Sequence, residues 1–248
     1  MSATIPGWDK FTLEDGEIAH TVFVKGAGFG VVLTHELPGM TAQCIALGNR
    51  LADAGYRVFM PLLFGLPNEH LLARNFLRLC ISHEFSIFRD GRTSPIVVWL
   101  RALCRRAHAE CKGPGVGMIG MCITGNFAII LLAEPSVFAP IACQPTQPVG
   151  FPNTAGRLAM SDDDLAAVKA RAETEHIPLL GFRFEGDRLC RPEKFLRLSA
   201  ELGQHFRATT LPGSGHGVLT EDFVDRKGHP TRHAWEATLA FLRERLGG

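Results

Sequence analysis

Apolar and polar positions along the chain fall into short runs that read as alternating strands and helices. Residues 18–25 alternate as a strand, and Gly26-Ala27-Gly28 turns the chain. Residues 30–34 (Gly-Val-Val-Leu-Thr) form a continuous apolar run, as expected of a strand buried on both faces. Thr41 is placed to cap a helix that carries Leu47 and Leu51 and stops at Gly55. Arg57-Val58-Phe59-Met60 is a second buried strand, closed by Pro61. Strand, helix, strand is the unit of a parallel sheet.

The same alternation continues downstream. Ser94-Pro95 opens a helix that runs to about Cys111, with Val98, Trp99, Leu100 and Leu103 expected on one broad apolar face. Strands are expected at 139–143, 178–184 and 205–211, and helices at 192–202 and 231–246. Ser161-Asp162-Asp163-Asp164 reads as a helix cap with acids at the positive end. Two stretches break the rhythm. Residues 62–93 show helical spacing only over 71–81, and read as an excursion over one end of the sheet suited to substrate contacts. Residues 144–156 form a Pro-rich loop. The pattern predicts a mostly parallel, doubly wound α/β sheet with helices on both faces. No repeat, linker or low-complexity tract divides residues 1–248, so one domain is expected.

Composition narrows the function. A net charge of +1, with signs interspersed, gives no electrostatic case for nucleic acid or a membrane surface. No apolar run is long enough to span a bilayer, and the N-terminus has no basic segment followed by an apolar one. Seven cysteines without a C-x-x-C pair argue against a disulfide framework and for a reducing, cytoplasmic setting.

The chain is organised around residues 117–128. A buried strand reverses at Gly120-Met121-Cys122-Ile123-Thr124-Gly125 into a helix. This is the G-x-S-x-G logic of a nucleophile elbow with cysteine at the apex and Thr124 where a second glycine often stands. Small residues permit the sharp turn, and the apex side chain projects at the C-terminal edge of the sheet, where open α/β folds bind ligands. Unpaired N–H groups at a helix start favour a thiolate there. The plain alternative is a buried structural cysteine.

Two more strand ends carry reactive groups, Asp187 and His216. Nucleophile, acid, histidine is the chain order of the α/β-hydrolase fold. In that chemistry Cys122 attacks an acyl carbon, His216 holds the thiol proton and later activates water, and Asp187 orients the imidazole. Backbone N–H groups of Ile123 and of Leu37 are the expected oxyanion donors, since Pro38 has none. Singly, Asp187 also fits a Gly-Asp turn and His216 a solvated loop. Three strand ends in this order make coincidence the weaker account.

Thr-His-Glu-Leu-Pro-Gly at 34–39, Gly-Met-Cys-Ile-Thr-Gly at 120–125, Glu-Gly-Asp at 185–187 and Gly-His-Gly at 215–217 resemble the dienelactone hydrolase family. The resemblance implies hydrolysis of an enol-lactone or related small ester through a thioester, without a cofactor. It also implies that Glu36 contacts the nucleophile and takes part in its activation. A carboxylate beside a thiol opposes its ionisation, so Glu36 must move or protonate first. The family binds a substrate carboxylate with arginines, one of them just beyond the histidine. This chain has Gly217-Val218-Leu219-Thr220 there, which leaves Arg89, Arg92 and Arg188 as substitutes.

Other motifs carry less. Gly115-x-Gly117-x-x-Gly120 matches a dinucleotide fingerprint but runs through the strand instead of following it. His229 and His233 have helical metal spacing, but Pro230 favours a helix beginning after His229. No metal is expected. Cys104 and Cys111 read as small core residues. Rival readings are a general carboxylesterase or thioesterase, and a non-hydrolytic binding or sensing protein of the same fold. Oligomeric state is left open by the sequence.

Overall fold

A computed structural model describes residues 3–69, 94–146 and 156–247. Its centre is an eight-stranded sheet. The strands are β1 (Asp9–Asp15), β2 (Ile18–Lys25), β3 (Phe29–Leu33), β4 (Tyr56–Pro61), β5 (Lys112–Met121), β6 (Val137–Cys143), β7 (Leu179–Phe184) and β8 (Phe206–Leu211). Their spatial order is β1-β2-β4-β3-β5-β6-β7-β8. The β1–β2 and β2–β4 pairs are antiparallel, and every other pair is parallel. Among the described residues the α-helices are α1 (Ala42–Asp53), α2 (Pro95–Glu110), α3 (Gly125–Leu131), α4 (Asp162–Thr174), α5 (Pro192–Leu202) and α6 (Pro230–Leu246).

The apolar strand runs are buried on both faces because helices cover both. Along β3, Val31 and Leu33 belong to one core and Val32 to the other, as the two-residue period of a strand requires. Leu47 and Leu51 of α1 and Trp235, Phe241 and Leu242 of α6 cover one face. Trp99 and Leu100 of α2, Phe127 of α3, Val168 of α4 and Phe195 of α5 cover the other. The caps follow local chemistry: Thr41 Oγ1 accepts from Cys44 N and Ser161 Oγ from Asp164 N. Asp164 also pairs with Arg101 at 3.1 Å, so the acid run serves helix α4 and its packing.

Three features depart from the sequence pattern. Strand β1 precedes the first expected one and pairs Asp15 with Ile18 through a tight Gly16-Glu17 turn, with Gly16 at φ 61°. Its side chains are half exposed because β1 is a sheet edge, which leaves a weak apolar signal. Val98 does not join the apolar face of α2: it is 47% exposed, while Ile96, Val97, Cys104 and Ala107 are buried with Trp99, Leu100 and Leu103. Cys111 caps α2 and is half-buried, whereas Cys104 is a core residue. The helical spacing at 71–81, Arg89 and Arg92 lie outside the described residues, as does most of the loop expected at 144–156.

Candidate active site

Because β3, β5, β6, β7 and β8 are parallel neighbours, their C-terminal ends open on one edge of the sheet. The loops there carry Glu36 and Leu37, Cys122, Gln144 and Thr146, Asp187, and His216 respectively.

The elbow follows from β5. The chain passes from Met121 into a 3-10 turn over Cys122–Thr124 and then into α3. Cys122 holds φ 55°, a left-handed conformation unusual for a non-glycine residue and expected of a nucleophile elbow. A Cβ on Gly120 would lie 2.2 Å from Thr124 O, and one on Gly125 would lie 3.0 Å from Pro145 Cα. Only glycine fits at 120, and at 125 a side chain would crowd the Pro145 backbone. Thr124 is tolerated between them because its side chain points back into the turn. Its Oγ1 accepts from Met121 N at 3.0 Å and donates to Met121 O at 2.8 Å.

His216 Nδ1 lies 2.8 Å from Asp187 Oδ2, and Asp187 is buried. The other carboxylate oxygen, Oδ1, accepts from Leu189 N at 2.8 Å and Cys190 N at 3.0 Å, which fixes the acid. The histidine loop is fixed from its own side by Asp222, whose Oδ2 accepts from His216 N at 2.7 Å and Gly217 N at 2.9 Å. Burial lowers the His216 pKa, but the Asp187 bond and the neighbouring Cys122 outweigh it and push the imidazole up to about 10. His216 Nε2 is buried and closes no hydrogen bond of regular geometry. The bond that Cys122 Sγ does close is to Thr146 Oγ1, at 3.2 Å.

Glu36 is buried on the same edge. Its Oε1 accepts a short hydrogen bond from Thr220 Oγ1 and a long one, 3.5 Å, from Gln144 Nε2. Burial raises its pKa, against the pull of the Thr220 bond and the charge of His216, while Glu221 and Asp222 raise it further. The resemblance placed this glutamate against the nucleophile; its hydrogen bonds here go to Thr220 and Gln144. Thr220 stands just beyond the histidine, in the stretch 217–220 where the resemblance would place an arginine and this sequence has none.

His35 anchors the loop before Glu36. Its Nδ1 donates to Glu36 O at 3.0 Å and its Nε2 accepts from Leu63 N at 3.1 Å, which fixes a neutral tautomer. Full burial pulls its pKa down to about 4. Leu37 and Ile123 are both buried in the core cluster that contains Cys122. Arg188 is exposed beside Asp187.

The remaining motifs resolve into structure. Gly115, Gly117 and Gly120 lie within β5, where a Cβ on Gly117 would meet Leu242 at 2.6 Å. His229 is the N-cap of α6, with Nδ1 at 2.8 Å from Thr231 Oγ1. Cys44, Cys104 and Cys143 are free and buried, and burial pushes each thiol up.

The sequence assigned no role to Thr146, Gln144, Thr220, Asp222 or His35. Thr and Gln carry no motif, and the contacts of Gln144 and Thr220 with Glu36 and of Thr146 with Cys122 form only because the sheet order brings their loops together.

The dienelactone hydrolase family model matches residues 19–246. The chain belongs to the dienelactone hydrolase family, whose fold is the α/β-hydrolase fold, and this membership supports an ester-hydrolysing enzyme. No curated protein sequence matches the chain. Among solved structures, a putative dienelactone hydrolase from Klebsiella pneumoniae subsp. pneumoniae superposes with a TM-score of 0.69 at 15% identity, covering 96% of this chain and 98% of that one. A dienelactone hydrolase-like promiscuous phosphotriesterase from metagenomic libraries gives 0.62 at 16% identity, covering 97% and 98%. A thioesterase domain from the curacin biosynthetic pathway gives 0.59 at 13% identity, covering 94% and 99%. At these identities the likeness is one of fold. No helix among the described residues is long and apolar enough to cross a membrane.

Proposed function

We propose that this protein hydrolyses small esters or lactones through a thioester on Cys122. The observation that carries the reading is the His216–Asp187 hydrogen bond of 2.8 Å formed beside a cysteine held at φ 55° on the elbow. The Cys122 thiolate attacks the acyl carbon. Charge developing on the carbonyl oxygen is met by the N–H groups of Ile123 and Leu37. The C–O bond breaks, and the proton on His216 Nε2 goes to the leaving alkoxide. In a lactone the leaving group stays tethered to the acyl chain. His216 then takes a proton from water, the hydroxide attacks the thioester, and the thiolate leaves with the proton retained on Nε2. Asp187 keeps the imidazole oriented and stabilises its cation.

Burial raises the pKa of Glu36, which favours its neutral form and so weakens a negative charge that would oppose the thiolate. Arg188, with Arg89 and Arg92, supplies candidate partners for a substrate carboxylate. The family match over 19–246 supports one domain, and the free thiols suit a reducing compartment such as the cytoplasm.

The test is hydrolysis of dienelactones, simple lactones, aryl esters and acyl thioesters by wild type and Cys122→Ala. Turnover by wild type, lost in the variant, supports the reading, and the preferred substrate separates lactonase from general esterase or thioesterase. Equal turnover by both overturns Cys122 as nucleophile. Turnover by neither supports the non-hydrolytic reading.

A further inference from the structure

We propose that Thr146 is a further catalytic residue of this site, its hydroxyl donating a hydrogen bond to the Cys122 sulfur and holding it as a thiolate before substrate arrives. The proposal rests on the reading of Cys122 as the nucleophile. Thr146 Oγ1 lies 3.2 Å from Cys122 Sγ, a hydrogen-bonding distance for oxygen and sulfur. Thr146 is buried, and its backbone is fastened to the elbow at two points, which holds its Cα beside the nucleophile. Thr146 N donates to Cys122 O at 3.0 Å, and Thr146 O accepts from Asn126 Nδ2 at 2.5 Å. Asn126 is buried and its Nδ2 also reaches Ile123 O at 3.0 Å. A residue from the end of β6 is thus built into the turn that presents the nucleophile.

The direction of the bond follows from where the proton lies. His216, backed by Asp187, favours its protonated form beside Cys122. Either atom of the pair can donate at this distance; in the proposed mechanism the thiol proton is on the imidazole, the sulfur offers only lone pairs, and Thr146 is the donor. A hydrogen bond donated to a charged acceptor is among the stronger ones. His216 also acts on the same sulfur, and the contact of regular hydrogen-bond geometry is the one from Thr146. When the sulfur attacks, its charge passes to the substrate oxygen and the Thr146 bond weakens. Among the described residues, the charged and titratable groups on this edge besides His216 and Asp187 include Glu36, held between Thr220 and Gln144, with Glu221 and Asp222 acting on it.

The experiment is the pH dependence of iodoacetamide alkylation at Cys122, quantified by mass spectrometry of the Cys122 peptide. Wild type, Thr146→Val and Thr146→Ser are compared, with Cys122→Ala as the blank. Loss of the hydroxyl in T146V is expected to raise the midpoint by about one pH unit and slow alkylation below it about tenfold. T146S, which keeps the hydroxyl, is expected to follow wild type. An unmoved midpoint in T146V, or a T146S that behaves like T146V, overturns the proposal. Labelling of the buried Cys104 and Cys143 reports a loosened core; T146A then replaces T146V under the same expectation. Ester turnover separates the two claims. If no ester is hydrolysed but the midpoint shifts, the hydrolase reading fails and the role of Thr146 stands. If hydrolysis depends on Cys122 and the midpoint stays, only the role of Thr146 fails.

Discussion

His216 and Asp187, on loops after adjacent parallel strands, meet at 2.8 Å through Nδ1 and Oδ2, while the second oxygen of the same carboxylate is held by two backbone N–H groups. One carboxylate therefore has two jobs that mutation separates. Asp187→Asn keeps an oxygen for Leu189 N and Cys190 N but loses the charge facing His216. It is expected to lower kcat about 10³-fold with little change in thermal stability. Asp187→Ala also strands the two N–H groups and is expected to cost a further ~1–3 kcal/mol in denaturant unfolding.

The pKa of His216 is raised in part by Cys122. A group raised in the folded state stabilises fully below its unfolded value near 6.5, and that contribution is lost as pH rises through about 10. Cys122→Ala removes the sulfur's share. NMR titration of the imidazole in this variant is expected to show a lower pKa than in wild type; an unchanged value contradicts the closeness of the two side chains.

Glu36 gives the opposite linkage to an ordinary surface carboxylate. Its folded pKa is raised from 4.5 chiefly by burial, so the unfolded chain releases its proton first. Stability then falls as pH rises from 4.5 toward the folded value. Glu36→Gln, a neutral isostere, is expected to be more stable than wild type at pH 7 to 9 and not at pH 4, measured by urea unfolding.

His35 sets an acid limit. Its folded pKa of about 4 lies below the 6.5 of the unfolded chain, so its neutral form stabilises above 6.5 and that contribution is lost as pH falls through 4. The shift corresponds to roughly 3 kcal/mol. His35→Gln is expected to flatten the stability profile between pH 6.5 and 4, at a cost in stability at neutral pH from the altered bonds to Glu36 O and Leu63 N.

The strands and helices that carry the site were legible because burial on two faces writes a continuous apolar run, as at 30–34 and in Val58-Phe59-Met60. The elbow was legible from glycine spacing, and the steric contacts at Gly120 give that spacing its cause. The edge strand β1 was not, because half its side chains face water. Val98 was misplaced because neighbouring apolar residues on α2 outnumber the positions that face the core. Thr146 and Thr220 were invisible for a different reason. Their roles come from loops 24 and 184 residues from their partners in sequence, and nothing local in either threonine records the meeting.

The most direct measurement of the central claim is the mass of the protein trapped during turnover of a slowly hydrolysed aryl ester. The account predicts a transient gain equal to the acyl group, located on the Cys122 peptide, released by hydroxylamine and absent in Cys122→Ala. Hydrolysis without any covalent adduct, or an adduct carried by another residue, would contradict it.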